Sequence, residues 1–292
     1  MSLTLRRTSI ALKVVFLGLI AIAVLFPVVL TVTNSFMAEE EIGRHYEALS
    51  ASDTAPSAPP TNSDITLVPE TATLSQYGEV LLLRPKYLLH FWNSVKLTLP
   101  IILGQCIVST LAGYAFAKMA FPGKNRLFFV YLLTMLMPFQ VTLVPNYLVA
   151  DKLGLLNSYG AIILPGIFTA FGVFLMRQFM ACVPDAYLEA ARIDGAGHIR
   201  AFLHIALPLT KPGVAALILL SFVDNWNMVE QPLLFLGDPI SQPLSLYLAD
   251  IAAGSRGVAF ASSVLYMAPM VLIFLYGEEY LVEGIQMSGI KG

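Results

Sequence analysis

The stretch VPDAYLEAARIDGAGHIRAFLHIALPLTKP, from Val183 to Pro212, is the longest segment in the second half of the chain that is not membrane-spanning in character. Strongly apolar segments flank it. Pro184 and Asp185 are typical of a helix start, because proline fits the first turn and an acidic side chain complements the positive end of the helix dipole. The pattern predicts a helix-turn-helix on a membrane face, made of a helix over 187–193, a glycine turn over 195–197 and a helix over 198–207 that Pro208 and Pro212 end.

Small side chains fill the middle of this segment, namely Ala190, Ala191, Gly195 and Ala196. They offer so little bulk that the backbone of another protein can approach closely. Three charged side chains accompany them and can fix the orientation of such a partner: Glu189, Arg192 and Asp194.

Glu189-Ala190-Ala191 followed by Asp194-Gly195-Ala196 resembles the EAA loop of bacterial ABC-importer permeases, and so do the prolines downstream. In that family the loop is the coupling helix that docks into a cleft of the cytoplasmic ATPase. The resemblance implies that Glu189 orients the loop, that Gly195 supplies its turn, and that the ATPase-coupling contact consists of Glu189, Ala190, Ala191, Asp194, Gly195 and Ala196. An ordinary amphipathic hairpin is the alternative interpretation.

The composition is that of a membrane protein. Of the 292 residues, 57% are hydrophobic and 12% are charged, against about 25% charged in an average soluble domain. A spanning helix needs about 20 apolar residues. Such runs predict an all-α polytopic protein with six transmembrane helices, at Val14–Ala38, Leu97–Ala117, Leu127–Ala150, Leu153–Met176, Pro212–Gly237 and Gly257–Gly277. The run Pro212–Gly237 is interrupted by Asp224 and Glu230.

Basic residues are unevenly distributed along these six helices. With the amino terminus in the cytoplasm, the cytoplasmic side holds 11 of the 17 basic residues: Arg6, Arg7, Lys13, Lys118, Lys124, Arg126, Arg177, Arg192, Arg200, Lys211 and Lys291. The positive-inside rule favours this orientation. It places both termini and the helix-turn-helix in the cytoplasm. The resemblance to bacterial permeases implies a multi-pass protein of the bacterial cytoplasmic (inner) membrane.

One transmembrane domain is expected over residues 1–292. Its parts are a cytoplasmic amino terminus at 1–13, helix one at 14–38 as an uncleaved signal-anchor, an external loop at 39–90, helices two to six at 94–282 with the coupling loop at 184–212, and a cytoplasmic tail at 283–292. Residues 39–76 are rich in Ser, Thr, Pro and Ala, a composition that cannot bury enough apolar surface to fold alone.

The fifth helix contains a polar cluster, predicted as a substrate path: Asp224, Asn225, Trp226, Asn227 and Gln231. A charged side chain in mid-span is costly and is expected to face the bundle interior or to pair. Amides and a flat indole suit sugar hydroxyls and ring faces. The alternative is that these polar groups only join helices.

The carboxyl terminus, with Gly284, Gly289 and Lys291-Gly292, resembles carbohydrate-importing permeases of the maltose-type group. The resemblance implies a permease subunit that moves a sugar or related carbohydrate by alternating access. Its implied partners are two ATP-binding subunits, a second permease subunit of a different chain, an extracytoplasmic substrate-binding protein and membrane lipid, but no nucleic acid. ATP and Mg²⁺ are expected on the ATPase subunits, with no cofactor on this chain.

Other functions stay open at this point. An ion-coupled secondary transporter with Asp224 as its carboxylate is one alternative, and an ABC permease for a non-sugar substrate such as a polyamine is another. An enzyme is not expected, because Gly123-Lys124 does not complete a phosphate-binding loop and no catalytic or metal site is recognisable. The four histidines, His45, His90, His198 and His204, are expected outside the spans.

Overall fold

The structure, a computed structural model, describes residues 2–44, 69–252 and 255–289. Those residues form helices and loops, without a strand among them. The chain divides into two compact units, residues 1–88 with 248–268 and residues 89–247 with 269–292. Residues 45–68, which make up most of the segment predicted to be a loose external loop, lie outside the described residues, as do His45 and residues 290–292.

Twelve helices are numbered in chain order. They are α1 (Ser2–Asn34), α2 (Pro85–Lys118), α3 (Lys124–Met135), α4 (Phe139–Lys152), α5 (Gly160–Gly166), α6 (Ala170–Cys182), α7 (Asp185–Ile193), α8 (His198–Ala201), α9 (Lys211–Trp226), α10 (Glu230–Phe235), α11 (Leu244–Ala252) and α12 (Arg256–Gly289). Shorter pieces are Ser75–Gly78, the π turns Glu79–Leu83 and Phe202–Ala206, the turn Leu207–Leu209 and the 3-10 turn Pro239–Ser241.

Four stretches of the described chain are long and apolar enough to cross a membrane, at Leu12–Asn34, Pro85–Lys118, Gly160–Cys182 and Arg256–Tyr280. Two further stretches reach that length only as bent pairs, α3 with α4 at 100° and His198–Leu209 with α9 at 76°. The number is therefore four, or up to six if each bent pair is one span, which agrees with the all-helical polytopic class predicted from the sequence.

Prolines account for the two sharp bends. Pro138 lies between α3 and α4 with ψ of 138°, outside the helical region, and a proline removes a backbone donor from the helix that it interrupts. Pro212 occupies the first turn of α9, two residues after Thr210, which has left the helical conformation.

Several observed boundaries differ from the sequence-based ones. The fourth predicted span began at Leu153, but Gly154 and Asn157 have positive φ angles of 65° and 61°, and this left-handed geometry cannot continue a helix. Helix α2 begins at Pro85, so that His90 lies inside it and not outside the spans as expected. Pro208 also does not end the second helix of the hairpin, because the chain continues through the π turn and leaves the helix only at Thr210.

In the first unit, the most apolar part of α1 has no buried residue, so its surface is free for lipid or another subunit. The turn after α1 is fixed by polar contacts. Glu39 accepts hydrogen bonds from the Ser255 hydroxyl and the Gly257 amide, both at 3.0 Å, and the Ser35 and Tyr77 hydroxyls lie 2.7 Å apart.

In the second unit, one apolar core joins the transmembrane helices to the segment after α6. Its buried members are Tyr114, Met176, Met180, Leu188, Ala201, Phe202, Ala206 and Leu217. These residues come from α2, α6, α7, α8, the π turn and α9. The helix-turn-helix at 183–212, called the hairpin below, is therefore packed against the ends of three helices.

Candidate functional site

The hairpin begins with a fixed first turn. Pro184 stands at the N-cap of α7 with extended geometry, and Asp185 lies in the first turn, where its charge complements the helix dipole. The Lys118 ammonium, at the last residue of α2, donates to Asp185 Oδ1 at 2.7 Å and to the Val183 carbonyl at 2.6 Å. The hydrogen bond from Lys118, and then its positive charge, lower the pKa of the Asp185 carboxyl.

The turn of the hairpin depends on Gly195. Its φ of +83° is left-handed, a conformation that glycine adopts without steric cost. The Gly195 amide donates to the Arg192 carbonyl at 3.0 Å, and the Ala196 amide donates to the Ala191 carbonyl at 2.8 Å. This is the bond pattern of a Schellman motif, which closes the carboxyl end of α7.

One face of α7 is buried. Leu188 is 3% exposed and belongs to the apolar core with Tyr114 and Phe202, and Ala191 is also buried. The small Ala191 side chain lets the helix lie close to its neighbours, while Leu188 anchors it. The hairpin is therefore held on its inner side by apolar packing and at its start by Lys118.

The other face is open. Glu189, Ala190, Asp194 and Gly195 are exposed, and Ala196 is half-buried. Ile193 is 87% exposed and Ile199 is 75% exposed, on either side of the turn. The exposed face of the hairpin therefore combines charged, small and large apolar side chains. Of the six predicted coupling residues, only Ala191 is buried on the inner side.

A second candidate site is a cavity of about 300 Å³ between α2, α6 and α9. Its lining residues are Gln105, Thr169, Phe171, Leu220, Ser221 and Asp224. Asp224 was predicted for a substrate path and does line this cavity. The volume is at the lower end of the range of about 300–1,000 Å³ that small-molecule sites occupy.

The cavity adjoins a break in the helical backbone at 167–169, between α5 and α6. The Gln105 side-chain amide donates to the Gly166 carbonyl at 2.7 Å, and the Thr169 hydroxyl accepts from the Gly172 amide at 3.3 Å. These bonds satisfy backbone groups that a break would otherwise leave unpaired within a membrane. An irregular backbone at this depth is tolerated where it lines a polar cavity.

Three polar lining residues were not predicted from the sequence. The sequence did contain a signal for Gln105, because this residue is a lone amide inside an otherwise apolar run. Thr169 and Ser221 had none, since threonine and serine are common in spanning helices and often bond only to their own backbone.

The other members of the predicted substrate path lie elsewhere. Trp226 is 2% exposed, stacked on Phe222 at 5.2 Å and edge-on to Phe91 at 5.6 Å. Asn225 donates to the Ser221 carbonyl and is buried, as is Gln231. Asn227 is exposed and donates to the Val223 carbonyl at 2.7 Å. The structure thus brings only Asp224 of these five to the cavity.

Among the residues that the structure describes, no group of three or more His, Cys, Asp or Glu side chains is placed so that it could hold a metal ion.

Residues 109–285 match the model of the family described as binding-protein-dependent transport system inner membrane component. The chain is 32% identical over 242 residues to the arabinooligosaccharides transport system permease protein AraQ of Halalkalibacterium halodurans, covering 81% of this chain and 87% of that one. It is 34% identical over 202 residues to the sn-glycerol-3-phosphate transport system permease protein UgpE of Yersinia enterocolitica, covering 68% and 72%.

Among solved structures, the fold is similar to that of a bacterial ABC transporter involved in the import of the acidic polysaccharide alginate. The TM-score is 0.76 at 22% identity, with 94% of this chain and 97% of that chain covered. At this identity the likeness concerns the fold alone.

Proposed function

The chain belongs to the family of binding-protein-dependent transport system inner membrane components, and from this we propose that it is the permease subunit through which an ATP-driven importer moves a carbohydrate. Members of such systems work with an ATPase, a second permease and a substrate-binding protein, and the ATPase hydrolyses the ATP. The relatives support an importer over the ion-coupled secondary transporter that the sequence left open. Two of them are named for an oligosaccharide and a glycerol phosphate, which supports a carbohydrate over a polyamine.

The observation that carries the proposal is the two-sided hairpin. Leu188 is buried in the core, whereas its neighbour Glu189 is exposed and Ile193 is almost fully exposed. A hairpin whose inner side is packed into the core and whose outer side is exposed can transmit the movement of a docked partner to the helices that it contacts. In the proposed contact, Glu189 orients the hairpin against the ATPase, Ala190 allows close approach, and Asp194 and Gly195 form the tip.

The proposed complex contains two ATP-binding subunits, a second permease of a different chain and an extracytoplasmic substrate-binding protein, all assembled on membrane lipid without nucleic acid. ATP and Mg²⁺ belong to the ATPase subunits. The basic residues favour a cytoplasmic hairpin and cytoplasmic termini in the bacterial inner membrane, which is the side where an ATPase has access to ATP.

In this mechanism the ATPase subunits close on ATP and move the docked hairpin. Because the hairpin shares a core with α2, α6 and α9, its displacement tilts these helices. Access to the binding site thereby alternates between the external and the cytoplasmic side as ATP is bound and hydrolysed. The contribution of this chain is mechanical, through positioned helices and not through chemistry.

The test is reconstitution of the complete complex in proteoliposomes with radiolabelled arabinotriose as the probe, in the presence of the binding protein. Uptake should require ATP and should survive collapse of proton and sodium gradients. A Glu189→Cys variant should cross-link to an ATPase subunit. Uptake that follows an ion gradient without ATP, or a hairpin that cross-links to no nucleotide-binding chain, would refute the proposal.

A further inference from the structure

The cavity between α2, α6 and α9 contains one charged side chain, that of Asp224. Its other lining residues are neutral, with polar groups on Gln105, Thr169 and Ser221. No lysine, arginine or histidine lines it. In the part of the chain that the structure describes, the ion pairs join other residues, so no cation neutralises Asp224.

Hydrogen-bonding capacity remains on these polar groups. One N–H of the Gln105 side-chain amide donates to the Gly166 carbonyl, which leaves its second N–H as a donor and its oxygen as an acceptor. Thr169 accepts from the Gly172 amide, which leaves its hydroxyl proton to donate. The Asp224 carboxylate only accepts. The cavity thus offers acceptors on Asp224 and Gln105 together with donors on Gln105, Thr169 and Ser221, which suits hydroxyl groups because each hydroxyl both donates and accepts.

The negative charge of Asp224 favours neutral carbohydrates over anionic ones in this cavity. A phosphate or carboxylate brought next to the Asp224 carboxylate is repelled, because the two groups carry charges of the same sign. A neutral sugar instead donates hydroxyl hydrogen bonds to the same carboxylate. The relatives are named for both kinds of cargo, a neutral arabinooligosaccharide in one case and an anionic glycerol phosphate in another.

We propose that this cavity is a subsite on this chain for a neutral polyhydroxy unit, a sugar residue without phosphate or carboxylate. Asp224, Gln105 and Ser221 hydrogen-bond its hydroxyl groups, and the Phe171 ring lies against its apolar face. This inference rests on the proposed function and narrows it, because it excludes anionic carbohydrates from this site.

The first test measures the charge of the cavity without any knowledge of the cargo. Cys106 and Cys182 are replaced, and Ser221→Cys is introduced into the assembled complex. Cationic and anionic methanethiosulfonate reagents of similar size then label the new thiol. We expect the cationic reagent to react at least about tenfold faster, and Asp224→Asn to abolish that preference.

A variant that retains only the native Cys182 is the matched control, because this thiol is exposed and does not line the cavity. Its labelling ratio should not change with Asp224→Asn. If Ser221→Cys does not assemble, Leu220→Cys provides a second thiol in the cavity. Equal or faster labelling by the anionic reagent would overturn the proposal.

The second test is protection of the thiol by ligands. Neutral probes (arabinotriose, maltotriose and raffinose) are compared with anionic probes (sn-glycerol 3-phosphate and a mannuronate disaccharide). At least one neutral probe should slow labelling severalfold, and neither anionic probe should. Protection by an anionic probe, or by none of the five, would overturn the subsite.

These outcomes are separable from failure of the proposed function. Labelling ratios need an assembled complex but no transport. A complex that shows the expected labelling and protection yet imports without ATP would reject the importer mechanism and keep the subsite. A complex that imports with ATP but whose thiol shows no charge preference in labelling would keep the importer mechanism and reject the subsite.

Discussion

The Lys118 ammonium lies 2.7 Å from Asp185 Oδ1 and 2.6 Å from the Val183 carbonyl oxygen, so the end of a transmembrane helix is bonded to the start of the hairpin. The Lys118 side chain is 6% exposed and that of Asp185 is 74% exposed. The lysine is therefore held in the protein, with the aspartate at the surface. These two hydrogen bonds connect the hairpin directly to α2.

Replacement of Lys118 by Met should loosen the hairpin, because the Val183 carbonyl loses its charged donor. A hydrogen bond to a charged group contributes about 1.5–3 kcal/mol, which corresponds to roughly tenfold or more in the ratio of positioned to released hairpin. We expect cargo imported per ATP hydrolysed to fall severalfold in proteoliposomes. Lys118→Arg should restore much of the ratio. A methionine variant with unchanged coupling and an unchanged spin-label distance from the hairpin to α2 would contradict this role.

The contact should also depend on pH in a defined direction. Because the pKa of Asp185 is lowered by Lys118, the charged contact stabilises the hairpin above the ordinary aspartate pKa of about 3.9. Its contribution is lost as the pH falls through the lowered pKa. The thermal midpoint of the wild type should exceed that of Asp185→Asn by a constant amount from about pH 5 to about pH 8, and the two should converge in stronger acid. If the difference between the two thermal midpoints grew as the pH fell, the predicted direction of the pH dependence would be wrong.

Gly195 is required for its backbone angle and not for space. A Cβ at Gly195 would meet nothing within 4 Å, but its φ of +83° is strained for other residues by about 1–2 kcal/mol. Gly195→Ala should lower the thermal midpoint, and Gly195→Asn should lower it less, because asparagine tolerates this region. Gly195→Asp should leave the chain inserted and uncouple uptake from ATP hydrolysis.

Gly197 is the matched control for that series. It has φ of −73° and equally open surroundings, so Gly197→Ala should change neither the midpoint nor uptake appreciably. If both alanine variants behave alike, the left-handed turn is not what makes Gly195 necessary.

Leu188 and Glu189 are neighbours with opposite roles. Leu188→Ala removes a buried side chain and should destabilise the hairpin by about 2–5 kcal/mol, seen as a lower midpoint and faster proteolysis. Glu189→Ala changes an exposed side chain and should leave stability within about 0.5 kcal/mol while weakening co-purification of the ATPase. A Glu189 variant that binds the ATPase normally would argue against an orienting role.

Variants of Trp226 can distinguish a role in packing from a role in substrate contact. Its ring is covered by Phe91 and Phe222, so Trp226→Ala should cost about 3–5 kcal/mol of stability and reduce uptake of every cargo alike. Trp226→Phe should restore assembly and uptake together. A phenylalanine variant that assembles normally yet changes cargo preference would favour substrate contact.

The helical class and the hairpin could be predicted from sequence because they depend on local physics. Apolar runs longer than a bilayer is thick have few alternatives to helices, and Gly195 after a short helix with an acidic start indicates a capped turn. The residue pattern from Glu189 to Ala196 also identified the family before any contact was known.

The packing contacts and the breaks in the helical backbone could not be predicted from the sequence in the same way. Leu188 and Glu189 are adjacent in sequence, and only the core around Leu188 decides which of them is buried and which is exposed. Asp224 and Trp226 looked equivalent as polar-path residues, yet one lines the cavity and the other is buried between aromatic rings. The reason is that a membrane makes nearly every helix face apolar, so hydropathy cannot distinguish lipid-facing from helix-facing sides. That choice is made by contacts between residues far apart in the chain, such as those that bring Gln105 to Gly166 and Lys118 to Asp185.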